Sequence, residues 1–356
     1  MKPFSVLYLC PLGQQHQEWR LAAAPDALQV TMRRSPTQAE ILALIPQADA
    51  LISERSGTLD RQIISAGINL KLIQRIGSLT YDIDLTAARE RHIPVAMRPI
   101  RSVIAVAEQV MMQILAVSRR AMPLQQVVRT PPETFWYAAP QRPGERLAQV
   151  PYTPRRTNED VFAFNWSRQT GVGLIYHKTV GILGFGEIGT ELARRLAAWD
   201  CNILYAKRTR LPEATEQALH IAYRSPEDLL RESDIVVCLL PYFRETDQWL
   251  NAERIGMMKE GAILCEAGSG SVVDEQAVAD ALRNGHLDGA AFDTYEWEPL
   301  KQDNPLLVLA DNDPTANIFL TPHIGSCNDI PSSEFPEFYS NVLRVMKGEP
   351  VEGRVA

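Results

Sequence analysis

The chain has little of what would tie it to an oxidising compartment, a nucleic acid or a bilayer. Its five cysteines are odd in number and form no C-x-x-C pair, which supports neither a disulfide framework nor a zinc ribbon and leaves no metal site to expect. Most of Cys10, Cys201, Cys238, Cys265 and Cys327 lie in apolar strand-like runs, the setting of buried thiols. Basic charge is in deficit: 36 Lys and Arg against 43 Asp and Glu give a net charge of −7. With no basic helix and no aromatic-basic interleaving, binding to nucleic acid by counterion release is not expected. No run is expected to approach a membrane span. The apolar start Phe4 to Cys10 is broken by Pro11, Gly13 and Gln14, which suits a first strand better than a signal peptide. Low-complexity tracts are missing too. The expectation is a cytoplasmic globular protein whose partner is a small molecule.

What is present is a repeated alternation of strand-like and helix-like segments. Val6–Cys10, Ala48–Ile52, Leu72–Ile76 and Ile93–Ala96 are separated by runs such as Gln38–Ile45. The pattern restarts at Val180 and continues through Ile235–Leu240 and Ala262–Cys265 to Gly289–Phe292. This predicts two doubly wound, Rossmann-like α/β units with parallel sheets, and 356 residues suffice for two cores. Between them lie a helical apolar run, Val103–Arg119, and a stretch from Thr130 to Trp166 rich in Pro, Arg and aromatics. That insertion, about 130–166, is too long for an ordinary connection. It reads either as a meandering surface loop or as an arm that packs on a second subunit or over a cleft.

The second unit opens with Lys178-Thr-Val-Gly-Ile-Leu-Gly184-Phe185-Gly186-Glu187-Ile188-Gly189, an apolar strand running through three spaced glycines into an amphipathic helix. Gly184 permits the tight turn, Gly186 lets the backbone approach a pyrophosphate, and Gly189 allows close packing of the helix. The free amides of the helix start face the phosphates. One strand later, Asn202–Ala206 ends not in the Asp or Glu that would hold a ribose 2′-hydroxyl but in Lys207-Arg208-Thr209-Arg210. Such a cluster pairs well with a 2′-phosphate, which favours NADP and leaves NAD possible. A solvated basic loop is the other reading.

Near the C-terminus Leu320-Thr-Pro-His323-Ile-Gly325 follows a short apolar strand, and earlier comes Asp293-Thr-Tyr-Glu296-Trp-Glu298-Pro299. An imidazole beside a carboxylate is what reversible carbonyl reduction needs. Together with Val106-Ala-Glu108, Glu232-Ser-Asp234, Leu240-Pro241, Met258-Lys-Glu-Gly261-Ala and Val273-Asp274-Glu275, these pieces resemble the D-isomer-specific 2-hydroxyacid dehydrogenase superfamily over nearly the whole chain. The resemblance implies an NAD(P)-dependent oxidoreductase acting on a CH–OH or carbonyl group. It also implies a discontinuous substrate domain (1–102 with 324–356), a central nucleotide domain (103–323) and a homodimer held by the nucleotide domains. By the same resemblance His323 is the acid/base, Glu298 its orienting partner and Asp293 a contact to the nicotinamide carboxamide, while Pro241, Thr246 and Gly325 join the cofactor site.

Two departures from the family stand out. Where it has an arginine that clamps the substrate carboxylate, this chain reads Glu266-Ala-Gly-Ser269-Gly270. Losing that charge-assisted pair costs on the order of 3 kcal/mol. Where the family has a Gly-Ala-Gly stretch offering backbone amides, it reads Gly77-Ser78-Leu79. Either the substrate has no α-carboxylate, or another cation such as Arg55, Arg98 or Arg101 takes over, giving a conventional 2-ketoacid reductase with a relocated arginine. A catalytically weak, NADP-binding regulatory protein is the remaining reading.

Overall fold

The computed structural model describes residues 3–129, 136–138, 149–151, 156, 159, 165, 167, 169–326 and 333–356. The first sheet joins Phe4–Cys10 (β1), Leu28–Arg34 (β2), Ala50–Ser53 (β3), Leu72–Ile76 (β4) and Val95–Arg98 (β5) in the order β2-β1-β3-β4-β5, every pair parallel. The central strands β3 and β4 are buried throughout because helices cover both faces. The edge strand β2 is largely half-buried or exposed and ends in Arg33-Arg34, which is why no apolar run announces it. The chain returns to this sheet at its end: Phe338, Tyr339 and Val342 pack with Val6, Tyr8, Ile52 and Leu72, and the Val95 amide donates to the Ala356 carbonyl.

Of the 130–166 insertion, the described part includes one antiparallel pair, Trp136–Ala138 (β6) with Gln149–Pro151 (β7). Its remaining residues, and with them the choice between surface loop and arm, lie almost wholly outside those described. The second sheet follows: Thr179–Leu183 (β8), Asn202–Ala206 (β9), Ile221–Tyr223 (β10), Ile235–Cys238 (β11), Ala262–Glu266 (β12), Leu287–Phe292 (β13) and Ile318–Leu320 (β14). Its order is β10-β9-β8-β11-β12-β13-β14, again all parallel. The strand order therefore reverses between β8 and β11, where such sheets open a crevice at their carboxyl ends. Two parallel-sheet α/β domains, as the alternation predicts, make up the chain.

Helix Arg101–Ser118 corrects one expectation. Over 18 residues its mean hydropathy is 1.2, so by length and composition it is apolar enough to cross a membrane. Its physical reason for being apolar is packing: Ala107, Val110, Ile114 and Val117 are buried in one core with Val180 and Ile182 of β8 and with Leu192. The thiols of Cys10, Cys238 and Cys265 are buried, and burial pushes Cys238 up to about 12. Cys327 lies outside the described residues.

Candidate active site

Nearly every residue singled out for chemistry falls just beyond the carboxyl end of a strand: Arg55 after β3, Gly77 after β4, Gly184 after β8, Lys207 after β9, Asp293 after β13 and His323 after β14. The glycine motif has the geometry its spacing demands. Gly184 sits at φ 87°, and a Cβ there would meet the Leu239 carbonyl oxygen at 2.6 Å, so no other residue fits. A Cβ on Gly186 would have only Arg55 within 4 Å, at 3.8 Å. Helix Glu187–Ala197 begins there without a side-chain cap. Open space at an uncapped helix start fits the phosphates of a dinucleotide. Gly189 makes its close contact with the Phe185 ring, 3.1 Å from a would-be Cβ, and Phe185 is buried while Ile188 packs on the same core.

The basic loop divides. Arg208 stacks on Phe243 at 5.4 Å, and Lys207 reaches Tyr81 of the first domain, its Nζ 3.3 Å from the phenol oxygen. Arg208 and Thr209 are exposed. Arg210 turns away: both arms of its fork donate to Glu216, at 2.9 and 2.7 Å, and the Tyr205 hydroxyl donates to the same carboxylate at 2.6 Å. On the facing loop Thr246 Oγ donates to the Pro241 carbonyl at 2.9 Å and accepts from the Phe243 amide at 2.7 Å, folding the turn that presents Phe243. Tyr81 and Phe243 carried no sequence signal, because an aromatic at a loop tip announces nothing until another loop meets it.

At the other end of the crevice His323 Nδ1 lies 2.7 Å from Glu298 Oε2, with the ring more than half exposed. Glu298 is itself fixed by accepting from the Tyr295 amide at 3.0 Å. Asp293 is buried and pins the histidine loop, accepting from Thr321 Oγ, the Ile324 amide and the Gly325 amide at 2.6, 3.1 and 2.8 Å. A Cβ on Gly325 would sit 2.8 Å from the same carboxylate. Gln109, from helix Arg101–Ser118, donates to Thr321 Oγ at 2.8 Å and completes this brace.

Ser269 is partly exposed at the start of a short turn of helix, Gly270–Val272. Behind it Glu266 is fully buried, accepting from the Gly268 amide at 2.7 Å and from Thr294 Oγ at 2.5 Å. Burial, opposed by those hydrogen bonds, pushes its carboxyl up to about 8. The remaining candidates separate. Arg98 and Arg101 are turned to Glu337 in the C-terminal segment, at 2.8 and 3.0 Å. Leu79 is buried among nucleotide-domain residues such as Phe185 and Val110. Arg55 pairs through Nε with Glu187 Oε1 at 2.9 Å. Ser78 is gripped by helix Glu187–Ala197: its amide donates to Glu187 Oε2 at 2.7 Å, its hydroxyl to Glu191 at 2.6 Å, and its carbonyl accepts from Arg194 at 3.2 Å.

Comparison with known proteins agrees with this architecture. Residues 149–325 match the model of the D-isomer specific 2-hydroxyacid dehydrogenase, NAD binding domain. A glyoxylate reductase of Thermococcus kodakarensis is 34% identical over 287 residues, covering 80% of this chain and 76% of its own. A glyoxylate/hydroxypyruvate reductase B of Yersinia pestis is 33% identical over 328 residues, with 92% and 88% covered. Among solved structures, a protein of Pyrococcus horikoshii OT3 aligns over 100% of this chain and 95% of its own at 28% identity, with a TM-score of 0.55. The chain belongs to the D-isomer-specific 2-hydroxyacid dehydrogenase superfamily. It is a nicotinamide-dinucleotide oxidoreductase by fold and family.

Proposed function

We propose that the protein is an NADP-preferring dehydrogenase or reductase that interconverts a carbonyl and a CH–OH group on a small substrate whose recognition does not run through residue 269. The observation that carries the reading is the 2.7 Å pair of His323 Nδ1 and Glu298. With Nδ1 engaged, Nε2 is the ring nitrogen left to give a proton to the substrate oxygen in reduction, or to take it in oxidation. Glu298 holds the ring's orientation. Asp293 keeps the His323 loop in place and borders the nicotinamide end. Residues 184–189, the 207–209 loop and the Pro241–Thr246 turn would hold the dinucleotide, which when bound would supply or accept the hydride.

The preference for NADP rests on Lys207 and Arg208 and on the lack of a carboxylate at the end of β9; Arg210 acts indirectly through Glu216. The reading includes a substrate domain of 1–102 with 324–356, a cytoplasmic setting and a homodimer. The relatives' names, glyoxylate and hydroxypyruvate reductase, make small 2-oxoacids the first compounds to try, and Ser269 makes them unusual ones for this site. NADPH oxidation against a panel of 2-oxoacids, ketones and aldehydes tests the proposal. Steady turnover of any of them that disappears in His323→Ala is the expected result. Tight NADPH binding with no turnover across the panel would favour the regulatory alternative.

A further inference from the structure

At the adenosine end of the crevice one contact is supplied by the first domain. Lys207, the first residue after β9, reaches across to Tyr81: its Nζ donates to the phenol oxygen at 3.3 Å and lies 5.7 Å from the ring centre. Tyr81 stands in the loop after β4, in a turn that the Ile83 amide closes on the Thr80 carbonyl at 3.0 Å. That turn is anchored from below. The Asp82 carboxylate accepts from Arg75 Nη2 at 2.5 Å and the Asp82 carbonyl from the Leu59 amide at 2.8 Å, while Arg75, wholly buried, also donates to Ser53 Oγ at 3.2 Å. Breaking a buried ion pair is costly, so the turn stays with its own domain, and the Tyr81–Lys207 contact exists only while the two domains face each other. The phenol oxygen accepts from Lys207, and among the described residues its own O–H has no acceptor. A phenol can accept and donate at once, and Tyr81 is 39% exposed, so this donor is open to a ligand. The next residue, Arg208, rests on Phe243 from the loop after β11. Two consecutive cations, each set on an aromatic ring from a different loop, and a free phenol donor beside the first of them suit the several oxygens of a phosphate group.

We propose that Tyr81 is a specificity-determining residue for the cofactor: its hydroxyl donates to the 2′-phosphate of NADP beside Lys207, so that this phosphate is gripped from both domains, whereas NAD leaves the hydroxyl nothing to hold. This deepens the NADP reading above and rests on it. Lys207 stands where β9 ends, the place at which such folds meet the adenosine ribose, and the Tyr81 oxygen lies within one hydrogen bond of its ammonium. A phosphate that accepts from Lys207 Nζ is thereby in reach of the phenol O–H as well. Because that donor comes from the first domain, the phosphate also ties the first domain to the nucleotide domain at the end of the crevice opposite His323.

Calorimetric titration of NADPH and NADH at one ionic strength tests this. Tyr81→Phe removes a single oxygen and keeps the ring; it should weaken NADPH by about tenfold and change NADH by no more than about twofold. The NADPH loss should persist in a Lys207→Ala background, as a hydroxyl that touches the phosphate itself requires. Hydrogen exchange of the amides of residues 78–84 should slow more with saturating NADPH than with saturating NADH, and Tyr81→Phe should erase the difference. An NADPH affinity that Tyr81→Phe leaves unchanged overturns the proposal, as do equal losses for the two cofactors or equal slowing of exchange by both. A loss that vanishes in the Lys207→Ala background overturns it too, since Tyr81 would then serve only to support Lys207. A wild type that binds NADH as tightly as NADPH would instead fail the cofactor reading itself, and the role of Tyr81 with it.

Discussion

His323, the acid/base of the proposed function, presents an exposed ring held by Glu298 on Nδ1, with Asp293 on the backbone beyond it. Replacing it with Ala should lower turnover about a hundredfold or more while NADPH affinity stays close to wild type, since proton transfer and cofactor binding use different atoms. Stopped-flow turnover beside fluorescence titration of NADPH checks both halves. Ser269 poses the opposite experiment. Ser269→Arg restores a fork near the turn at 270–272 and should raise kcat/KM for small 2-oxoacids on the order of tenfold; no gain would mean that recognition of such substrates does not depend on residue 269. Glu266, a few residues before, titrates where most carboxylates do not. Its carboxyl is up at about 8 in the folded protein against an ordinary 4.5, so between those values the folded state holds a proton that the unfolded state has lost. Stability from this group is therefore full below about pH 4.5, falls as pH rises towards 8, and levels off above. Glu266→Gln should flatten that slope, raising Tm relative to wild type at pH 8.5 and not at pH 5, by scanning calorimetry.

Loops at strand ends, rather than the strands, carry the candidate site residues, and in the proposed function the loop after β9 sets cofactor choice. Lys207 and Arg208 are held on Tyr81 and Phe243, exposed enough to meet a phosphate, whereas Arg210 is spent on Glu216. Lys207→Ala with Arg208→Ala should weaken NADPH by about ten- to a hundredfold and leave NADH nearly unchanged, while Arg210→Ala should act weakly on both; calorimetry at one ionic strength separates them. This division marks how far the sequence can be read. The motif at 184–189 was legible because the backbone itself demands glycine there, as φ 87° at Gly184 and the 2.6 Å approach of Leu239 show. His323 and Glu298 were legible only through family resemblance, since a lone histidine and a lone glutamate carry no spacing rule. The strands β2 and β10 escaped because one is an edge with basic residues at its end and the other is only three residues long. Nothing local could reveal that Glu187 would cross the cleft to Arg55 and Ser78, because ion pairs between domains are decided by how two separately legible units face each other.

At the scale of the whole molecule, one apolar surface has no cover among the described residues. Helix Arg101–Ser118 presents Met112 and Ala116 and the edge of Leu115 on the side away from the core, and Trp199, just past helix Glu187–Ala197, lies 46% exposed beside them. The Glu108–Arg195 ion pair, 3.1 Å, stands at the edge of this hollow. Leu174 and Tyr176 add further exposed apolar area. The same helix that is apolar enough to span a bilayer thus has two apolar sides, one packed in the core and one exposed, and a charged rim argues for a protein partner rather than lipid. A second copy of the nucleotide domain, related by a two-fold axis, satisfies both sides at once, since each subunit would bring the same hollow and the same rim. A stable pairing needs about 1,200 Å² or more of buried surface. Light scattering at micromolar concentration should therefore give twice the mass of the 39.8 kDa chain. Met112→Glu with Trp199→Glu should yield a folded monomer, with near-native circular dichroism and NADPH binding, because neither residue touches the crevice at the strand ends. A monomeric wild type, or a double variant that remains dimeric, would place the subunit contact elsewhere.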